Sequence, residues 1–202
     1  RVIDNEITNC MYNSIAVSYS HNEIAGHLIQ GNILGGNIHE DGIQFNPSFD
    51  GASPTLETDN QGVYIKDNII KGSGENGIDL KGAKYIVIDG NILFGSTGDN
   101  NGPVDGNDRI ASRTIMHGSG TNSEDVIIRN NVIYDNAGGI FHENGYRVYN
   151  NTVLGNNRDY TGPNSSYWFS YRPYFSGLFP QWSDDVVVLN NIVGGHKQGD
   201  SG

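Results

Sequence analysis

The 202-residue chain has one cysteine, Cys10, which excludes an internal disulfide framework and any metal site built from several cysteines. Basic residues are also few, since 12 lysines and arginines stand against 23 acidic residues and the formal net charge is −11. This balance argues against nucleic acid as a partner, which requires a basic face, and against docking on anionic lipid. No apolar run approaches the ~18 residues of a membrane-spanning helix, so we expect no membrane insertion.

The remaining composition is polar and rich in glycine. Hydrophobic residues make up 36% of the chain and there are 28 glycines, but charged residues are only 17%. The abundant isoleucines and the low charge argue against disorder. Apolar residues alternate with polar ones and show no helical period, which predicts one all-β domain over residues 1–202. Because the chain opens inside a patterned strand without Met, we expect it to be a fragment of a longer chain.

One short pattern recurs along the chain: two or three alternating apolar residues, a turn-like residue, Asn, then an apolar pair. Clear copies are VYIKDNII (63–70), IVIDGNIL (86–93) and VIIRNNVI (126–133). The repeated asparagines, at intervals of 20 to 40 residues, are Asn5, Asn32, Asn68, Asn91, Asn131, Asn151 and Asn191. The shortest intervals indicate the basic unit, and the longer ones predict two long loop insertions, near 95–112 and 157–184.

A second strand precedes several copies, as in DGIQFN (41–46) and NGIDLKG (76–82), and a third short strand follows the Asn. The pattern predicts a coil of about seven turns, here called rungs, whose parallel strands stack ~4.8 Å apart. The Asn should adopt left-handed backbone geometry and form a ladder along the axis. A β-sandwich would need two-residue hairpins, and a propeller would need a constant repeat of ~40–45 residues. The variable intervals favour the coil.

The segment ENGIDLKGAKYIVIDGNILFG (75–95), with its repeats over nearly the whole chain, resembles the right-handed parallel β-helix superfamily, which includes pectate-lyase-like proteins. The resemblance implies a right-handed single-stranded parallel β-helix solenoid. It also implies an extracellular or cell-surface protein that acts on, or holds, a polysaccharide along its side. Members include polysaccharide lyases, epimerases, glycoside hydrolases, tail-spikes and adhesins, so the resemblance leaves the reaction open.

Candidate site residues emerge when the second strands are aligned on Ile43, Ile78, Thr114 and Ile140. The inward positions are then Ile43/Phe45, Ile78/Leu80, Thr114/Met116 and Ile140/His142. One outward column contains Gln44, Asp79, Ile115 and Phe141, and the other contains Asn46, Lys81, His117 and Glu143. The second column places a lysine, a histidine and a glutamate about 5 Å apart on successive rungs, which suits proton transfer.

The chemistry that this column suggests is β-elimination or C5-epimerisation of a uronic acid, which both begin with removal of the proton α to a carboxylate. Lys81 or His117 is the candidate base, and a protonated neighbouring histidine would lower the pKa of the lysine. Glu143, on the next rung of the same column, is the third candidate residue for proton transfer. Arg113 is the candidate clamp for the substrate carboxylate, because guanidinium binds carboxylates in a bidentate manner.

Binding residues are expected around the same column. Gln44, Asn46 and Arg147 are candidates for contacts with the sugar, and Asp79 is the candidate ligand for Ca²⁺, the one cofactor that the pattern suggests. No dense carboxylate cluster is apparent beside the strand. The alternative interpretation is that these charged residues serve solubility and cross-rung pairing.

The second insertion is unusually aromatic, and Tyr167, Trp168 and Tyr171 lie at its centre. Such side chains stack on the apolar faces of sugars, so this loop is a candidate wall of a saccharide cleft. The same residues would also suit a cap on the coil or a contact between subunits.

These observations lead to one main hypothesis and two alternatives. The main one is a polysaccharide lyase or C5-epimerase acting on a uronate-containing polysaccharide. The second is a non-catalytic carbohydrate-binding scaffold, adhesin or tail-spike. The third is a glycoside hydrolase, which would need Asp79 or Glu143 in place of Lys81.

Overall fold

A computed structural model of the protein describes residues 1–18, 26–37, 39–46, 61–81, 84–96, 114–116, 124–136, 138–142, 145–156, 178–180 and 185–195. Within these residues the secondary structure consists of short β-strands, and no helix there is long and apolar enough to cross a membrane. In chain order the strands are β1 (Val2–Ile3), β2 (Glu6–Thr8), β3 (Ile15–Ser18), β4 (Leu28–Gln30), β5 (Ile33–Gly35), β6 (Ile43–Asn46), β7 (Gln61–Lys66), β8 (Ile69–Lys71), β9 (Ile78–Leu80), β10 (Lys84–Asp89), β11 (Ile92–Phe94), β12 (Ile115–Met116), β13 (Glu124–Arg129), β14 (Val132–Tyr134), β15 (Ile140–His142), β16 (Arg147–Tyr149), β17 (Thr152–Leu154), β18 (Leu178–Pro180), β19 (Val187–Leu189) and β20 (Ile192–Gly194).

The strands form three parallel sheets that run side by side along one axis. Sheet A has the order β1-β4-β7-β10-β13-β16-β19, sheet B has the order β2-β5-β8-β11-β14-β17-β20, and sheet C has the order β18-β15-β12-β9-β6-β3. Successive turns of the chain therefore add one strand to each sheet. This arrangement confirms the all-β coil of stacked parallel strands that the repeats predict.

The core fills the space between the three sheets with columns of aliphatic side chains. Ile65 and Ile88 of sheet A pair in register, as do Ile70 and Leu93 of sheet B, and all four side chains are fully buried. Because side chains alternate along a strand, the residues between them project outward. A core of this kind requires the period-two alternation seen in the sequence.

The corner between sheets A and B carries the predicted asparagine ladder. Asn68 donates its Nδ2 to Asn91 Oδ1 at 2.9 Å, and Asn91 donates in the same way to Asn131 Oδ1 at 3.0 Å. The left-handed backbone, however, belongs to the residue before each ladder asparagine, as at Asp67 (φ 56°) and Asn130 (φ 56°). The expectation that the ladder Asn itself adopts this geometry is therefore wrong: the preceding residue makes the bend, and the asparagine side chain turns inward.

A shorter ladder, which the sequence analysis missed, occupies the corner between sheets B and C. Asn136 Nδ2 donates to Asn156 Oδ1 at 3.0 Å, and the backbone N–H of Ser96 donates to Asn136 Oδ1 at 3.0 Å. All three residues are buried. The second asparagine after each apolar pair was the signal for this ladder.

The register of β12 corrects the alignment of the second strands by one residue. Ile115, not Thr114, pairs with Ile78, and it is fully buried in the core column instead of facing outward. Met116 pairs in register with Asp79, not with Leu80 as the alignment expected. Thr114 lies one position earlier, where its buried hydroxyl donates to the Gly138 carbonyl at 2.6 Å. A one-residue shift exchanges the two faces of a strand, so the column that aligned Lys81 with His117 is wrong at this rung.

Much of the two predicted insertions, near 95–112 and 157–184, lies outside the described residues. Both remain predictions.

Candidate functional site

The outer face of sheet C carries an ion pair between Asp79 and Lys81. Asp79 alternates with the core residues Ile78 and Leu80, so its side chain projects from the opposite face of β9. Lys81 follows the strand directly, and its Nζ lies 3.0 Å from Asp79 Oδ2. The Asp79 side chain is 1% exposed and the Lys81 side chain is 29% exposed. The anion of the pair is therefore buried, while the cation reaches solvent.

A network of polar side chains lies beside this pair. Gln44, which pairs in register with Asp79, donates its Nε2 to Asp41 Oδ2 at 2.8 Å. Asn76 donates its backbone N–H and its Nδ2 to Asp41 Oδ1 at 2.8 and 2.9 Å. The backbone N–H of Asp41 donates to Asn13 Oδ1 at 3.0 Å. Asn13, Asp41 and Asn76 thus form a third ladder, in which a carboxylate takes the place of the middle amide.

Three carboxylates meet next to this ladder. One oxygen each from Glu40, Asp41 and Glu75 lies within 4.8 Å of the other two. Asp41 is fully buried and the two glutamates are partly buried. Oxygen ligands lie about 2.3–2.6 Å from a bound Ca²⁺ ion, so three oxygens at these separations fit around one ion. Asp79, the ligand expected from the sequence, is not in this group, and its Oδ2 is paired with Lys81.

Burial and charge shift two pKa values in this region. Burial raises the pKa of the Asp41 carboxyl well above its ordinary value, and the charges of Asp79 and Glu75 raise it further against the hydrogen bonds from Asn76. Burial lowers the pKa of Lys81, but the charge and hydrogen bond of Asp79 outweigh this effect, and the net pKa is raised. The described neighbours of Lys81 therefore act in the opposite direction to the one expected from a protonated histidine.

The remaining predicted site residues separate into two groups. Arg147 is exposed on the outside of β16, where it pairs in register with Ile127 and Val187 of sheet A. It does not lie on the sheet C face, because the chain has already turned into the next sheet at this position. Asn46 belongs to β6 and its backbone pairs with Ser18. The residues that lie outside the described part of the chain are Arg113, His117, Glu143, Tyr167, Trp168 and Tyr171.

Of the predicted site residues, the structure therefore brings together Lys81, Asp79 and Gln44. Lys81 forms an ion pair with Asp79, and Gln44 pairs in register with Asp79 and donates to Asp41. Sequence reasoning missed Glu40, Asp41 and Glu75 as a group. Two signals were available: Asp41-Gly42 and Asn76-Gly77 occupy the same place before their strands, and each has a glutamate directly before it. Both turns lie before the strands, outside the alternating pattern from which the strands are predicted.

Comparison with known protein families agrees with this architecture. A family described as "Right handed beta helix region" matches residues 1–193. The chain belongs to this right-handed β-helix family. No curated protein and no solved structure matches it significantly.

Membership in the β-helix family establishes the fold but does not specify a reaction or a ligand, which have to be inferred from the residues of the site. In the described part of this β-helix, the sheet C face offers Lys81, which stays protonated near neutral pH, and a group of carboxylates that could hold a hard cation. Both are suited to bind carboxylate-bearing ligands, the lysine directly and the carboxylates through a cation.

Proposed function

We propose that this β-helix protein binds a uronate-containing polysaccharide along the outer face of sheet C and acts on it as a polysaccharide lyase or a C5-epimerase. The observation that carries the proposal is the Asp79–Lys81 pair beside three converging carboxylates. A fixed ammonium group attracts a uronate carboxylate, and a divalent cation bridges carboxylates of protein and substrate. Because such polymers lie outside cells, we also infer an extracellular or cell-surface location.

The two reactions share their first step, in which a base removes the proton on the carbon next to the substrate carboxylate. Since the pKa of Lys81 is raised, we assign Lys81 to the substrate carboxylate and assign the role of base to no residue of the described part of the chain. In elimination, the released electron pair forms a carbon–carbon double bond as the bond to the leaving oxygen breaks. In epimerisation, a proton returns from the opposite face. Glu143 and Arg113 remain candidates for proton donation and for a second carboxylate contact.

The charge of the site explains why a cation belongs to the proposal. Among the described residues of the site, four carboxyl groups stand against the ammonium of Lys81. This excess of acidic groups repels a polyanion unless other charge offsets the field. Glu40, Asp41 and Glu75 would hold a Ca²⁺ ion, which supplies positive charge for substrate carboxylates when it is bound. The two partly buried glutamates leave this position open to ligand.

The test is the ultraviolet absorbance of unsaturated uronates released from a panel of uronate polysaccharides, with Ca²⁺ or with a chelator. We expect product with Ca²⁺ and its loss in the chelator or in Lys81→Ala. Lys66→Ala is the matched control, because Lys66 also forms an ion pair, 3.6 Å from Asp67, but lies on sheet A. Exchange of solvent protons into the polymer detects epimerisation without cleavage. Absence of both product and exchange on every polymer overturns the catalytic proposal.

A non-catalytic polysaccharide-binding β-helix, such as an adhesin or a tail-spike, is the second candidate. It is favoured by the raised pKa of Lys81, because a protonated lysine is better suited to hold a carboxylate than to abstract a proton. This candidate predicts that the protein retains the polymer, and that Lys81→Ala weakens retention, without product or proton exchange. The burial of Asp79 counts against a hydrolase that uses this carboxylate, which would have to reach the glycosidic oxygen.

A further inference from the structure

An exposed aromatic pair lies beside the carboxylate group, at the corner where the chain enters sheet C. The Tyr12 side chain is 59% exposed. Its ring centroid lies 6.3 Å from that of His39, with the ring planes at 45°. His39 directly precedes Glu40 in the chain, and it is partly exposed. The pair thus borders the carboxylates on the side toward the N-terminal end of the coil.

The backbone next to Tyr12 is firmly held, although the ring is in solvent. Asn13 accepts from the backbone of Asp41 at 3.0 Å and donates to Gln44 Oε1 at 3.2 Å. Ser14 donates its hydroxyl to Asn37 Oδ1 at 2.9 Å. Because the chain next to the ring is already held, less conformational entropy is lost when a ligand covers the ring.

We propose that Tyr12 and His39 form a sugar-binding subsite for the same uronate polysaccharide that reaches Lys81. This inference rests on the proposed function. Tyrosine presents an apolar ring face to a sugar and a hydroxyl to its polar groups. The neighbouring Glu40 has two carboxylate oxygens. One would contact the cation, and the other would accept a hydrogen bond from a sugar hydroxyl group.

The positions of these residues determine the direction in which the polysaccharide lies. Tyr12 lies before β3, His39 before β6 and Glu75 before β9, so they occupy three successive turns of the coil. Lys81 directly follows β9. Strands of neighbouring turns are about 4.8 Å apart, which puts Tyr12 roughly 10 Å along the axis from Lys81. Tyr12 precedes its strand of sheet C whereas Lys81 follows its own, so the two residues are also separated along the strand direction. A ligand that contacts both must be an oligosaccharide that lies obliquely across the face of sheet C.

The other exposed tyrosines provide a contrast. Tyr64 and Tyr85 are 48% and 55% exposed on sheet A. On that face Arg129 forms an ion pair with Asp89 at 2.8 Å. Tyr85 is a matched control, because its ring is similarly exposed but lies on a different sheet from Lys81 and the carboxylate group.

The experiment is calorimetric titration with oligogalacturonates and oligomannuronates of two lengths, dimers and hexamers, in the presence of Ca²⁺. We expect Tyr12→Ala to weaken hexamer binding about fivefold, with dimer binding unchanged because a dimer at Lys81 does not reach the ring. Tyr12→Phe should retain most of the affinity, and Tyr85→Ala all of it. His39→Ala provides a second variant if Tyr12→Ala does not fold, as judged by circular dichroism.

The outcomes separate this inference from the proposed function. Hexamer binding that Lys81→Ala abolishes, but that Tyr12→Ala and His39→Ala leave intact, overturns the subsite and keeps the proposed function. Equal weakening of dimer and hexamer by Tyr12→Ala also overturns it, because the ring would then act at the lysine itself. If the wild-type protein binds no oligouronate of either length, the proposed function and the subsite both fail.

Discussion

At the scale of single residues, Asp41 is the most unusual side chain in the described part of the chain. It is fully buried at a ladder position where asparagine precedes and follows it in neighbouring turns. A buried carboxylate is costly unless it is paired or hydrogen-bonded. Asp41 accepts three hydrogen bonds, from Asn76 and Gln44, which offset part of this cost. The remaining cost appears as its raised pKa.

The pH dependence of stability should reveal this carboxylate. The folded protein binds the Asp41 proton more tightly than the unfolded chain, because burial raises the pKa above the ordinary value of 3.8. The stability that protonated Asp41 contributes is therefore complete below the pKa of Asp41 in the unfolded chain. It is lost as the pH rises through the pKa of Asp41 in the folded protein. We expect the wild-type protein to gain stability relative to Asp41→Asn as the pH falls from neutrality, measured as urea unfolding midpoints.

The pH dependence distinguishes the titration of the Asp41 carboxyl from the hydrogen bonds that the substitution removes. Asp41→Asn also removes the acceptor for Gln44, but that loss changes little with pH, so only the slope against pH reports the carboxyl. Asp125→Asn is the control, because Asp125 is exposed and its left-handed backbone suits asparagine. Parallel midpoint curves for the wild type and Asp41→Asn would contradict the prediction.

At the scale of elements, the A–B corner depends on one continuous ladder. Asn91 illustrates its bonding: Nδ2 donates to the Ile65 carbonyl at 2.9 Å and to Asn131, while Oδ1 accepts from the backbone and side chain of Asn68. The same bonds recur from turn to turn. The ladder therefore satisfies, inside the coil, backbone groups that a sharp corner would otherwise leave without partners.

Removal of a central ladder residue should cost far more than removal of the terminal one. Asn91→Ala leaves the buried donors of Asn68 without their acceptor, and we expect a loss of about 3 kcal/mol in the free energy of unfolding. Asn5→Ala, at the exposed end of the ladder, should cost less than about 1 kcal/mol. Urea denaturation followed by circular dichroism measures both. Similar losses at the two positions would show that the ladder adds little to stability.

The sequence predicts the strands of sheets A and B better than those of sheet C. The repeated Asn and the alternation before it predict β7, β8, β10 and β11 and their pairing, because the relevant pattern lies within eight residues. The strands of sheet C are less regular, and Thr114 is β-branched like the isoleucine that follows it. In the fold Ile115 pairs with Ile78, and the buried Thr114 hydroxyl donates to the Gly138 carbonyl. That bond joins different turns and cannot be seen in a single strand.

At the scale of the whole molecule, stability is distributed along the axis, because each turn contacts only its neighbours. One core column of sheet A makes this visible. Ile88 and Ile128 pair in its middle and are fully buried, whereas Val188, in the same column beyond Val148, is 43% exposed. The outermost described turn therefore protects its core residue less than the central turns do.

Truncation of this column should have an effect that depends on position. We expect Ile88→Ala to cost about 3 kcal/mol, since it removes a fully buried side chain and leaves a cavity. Val188→Ala should cost less than about 1 kcal/mol, because the side chain is already partly in solvent. Unfolding midpoints in urea compare the two. Equal losses would mean that further residues cover the terminal turn in solution.

The sequence by itself determined the coil of parallel strands, the A–B asparagine ladder and the placement of Asp79 and Lys81 on one face, two residues apart. These features follow from alternation and recurrence over a few residues, which depend on local sequence. Only the tertiary structure decided the register of β12 and the meeting of Glu40, Asp41 and Glu75. Asp41 and Asn76 are 35 residues apart, and the turns of the coil differ in length. Which side chains become neighbours is therefore decided by the hydrogen bonds and core packing of the stacked turns.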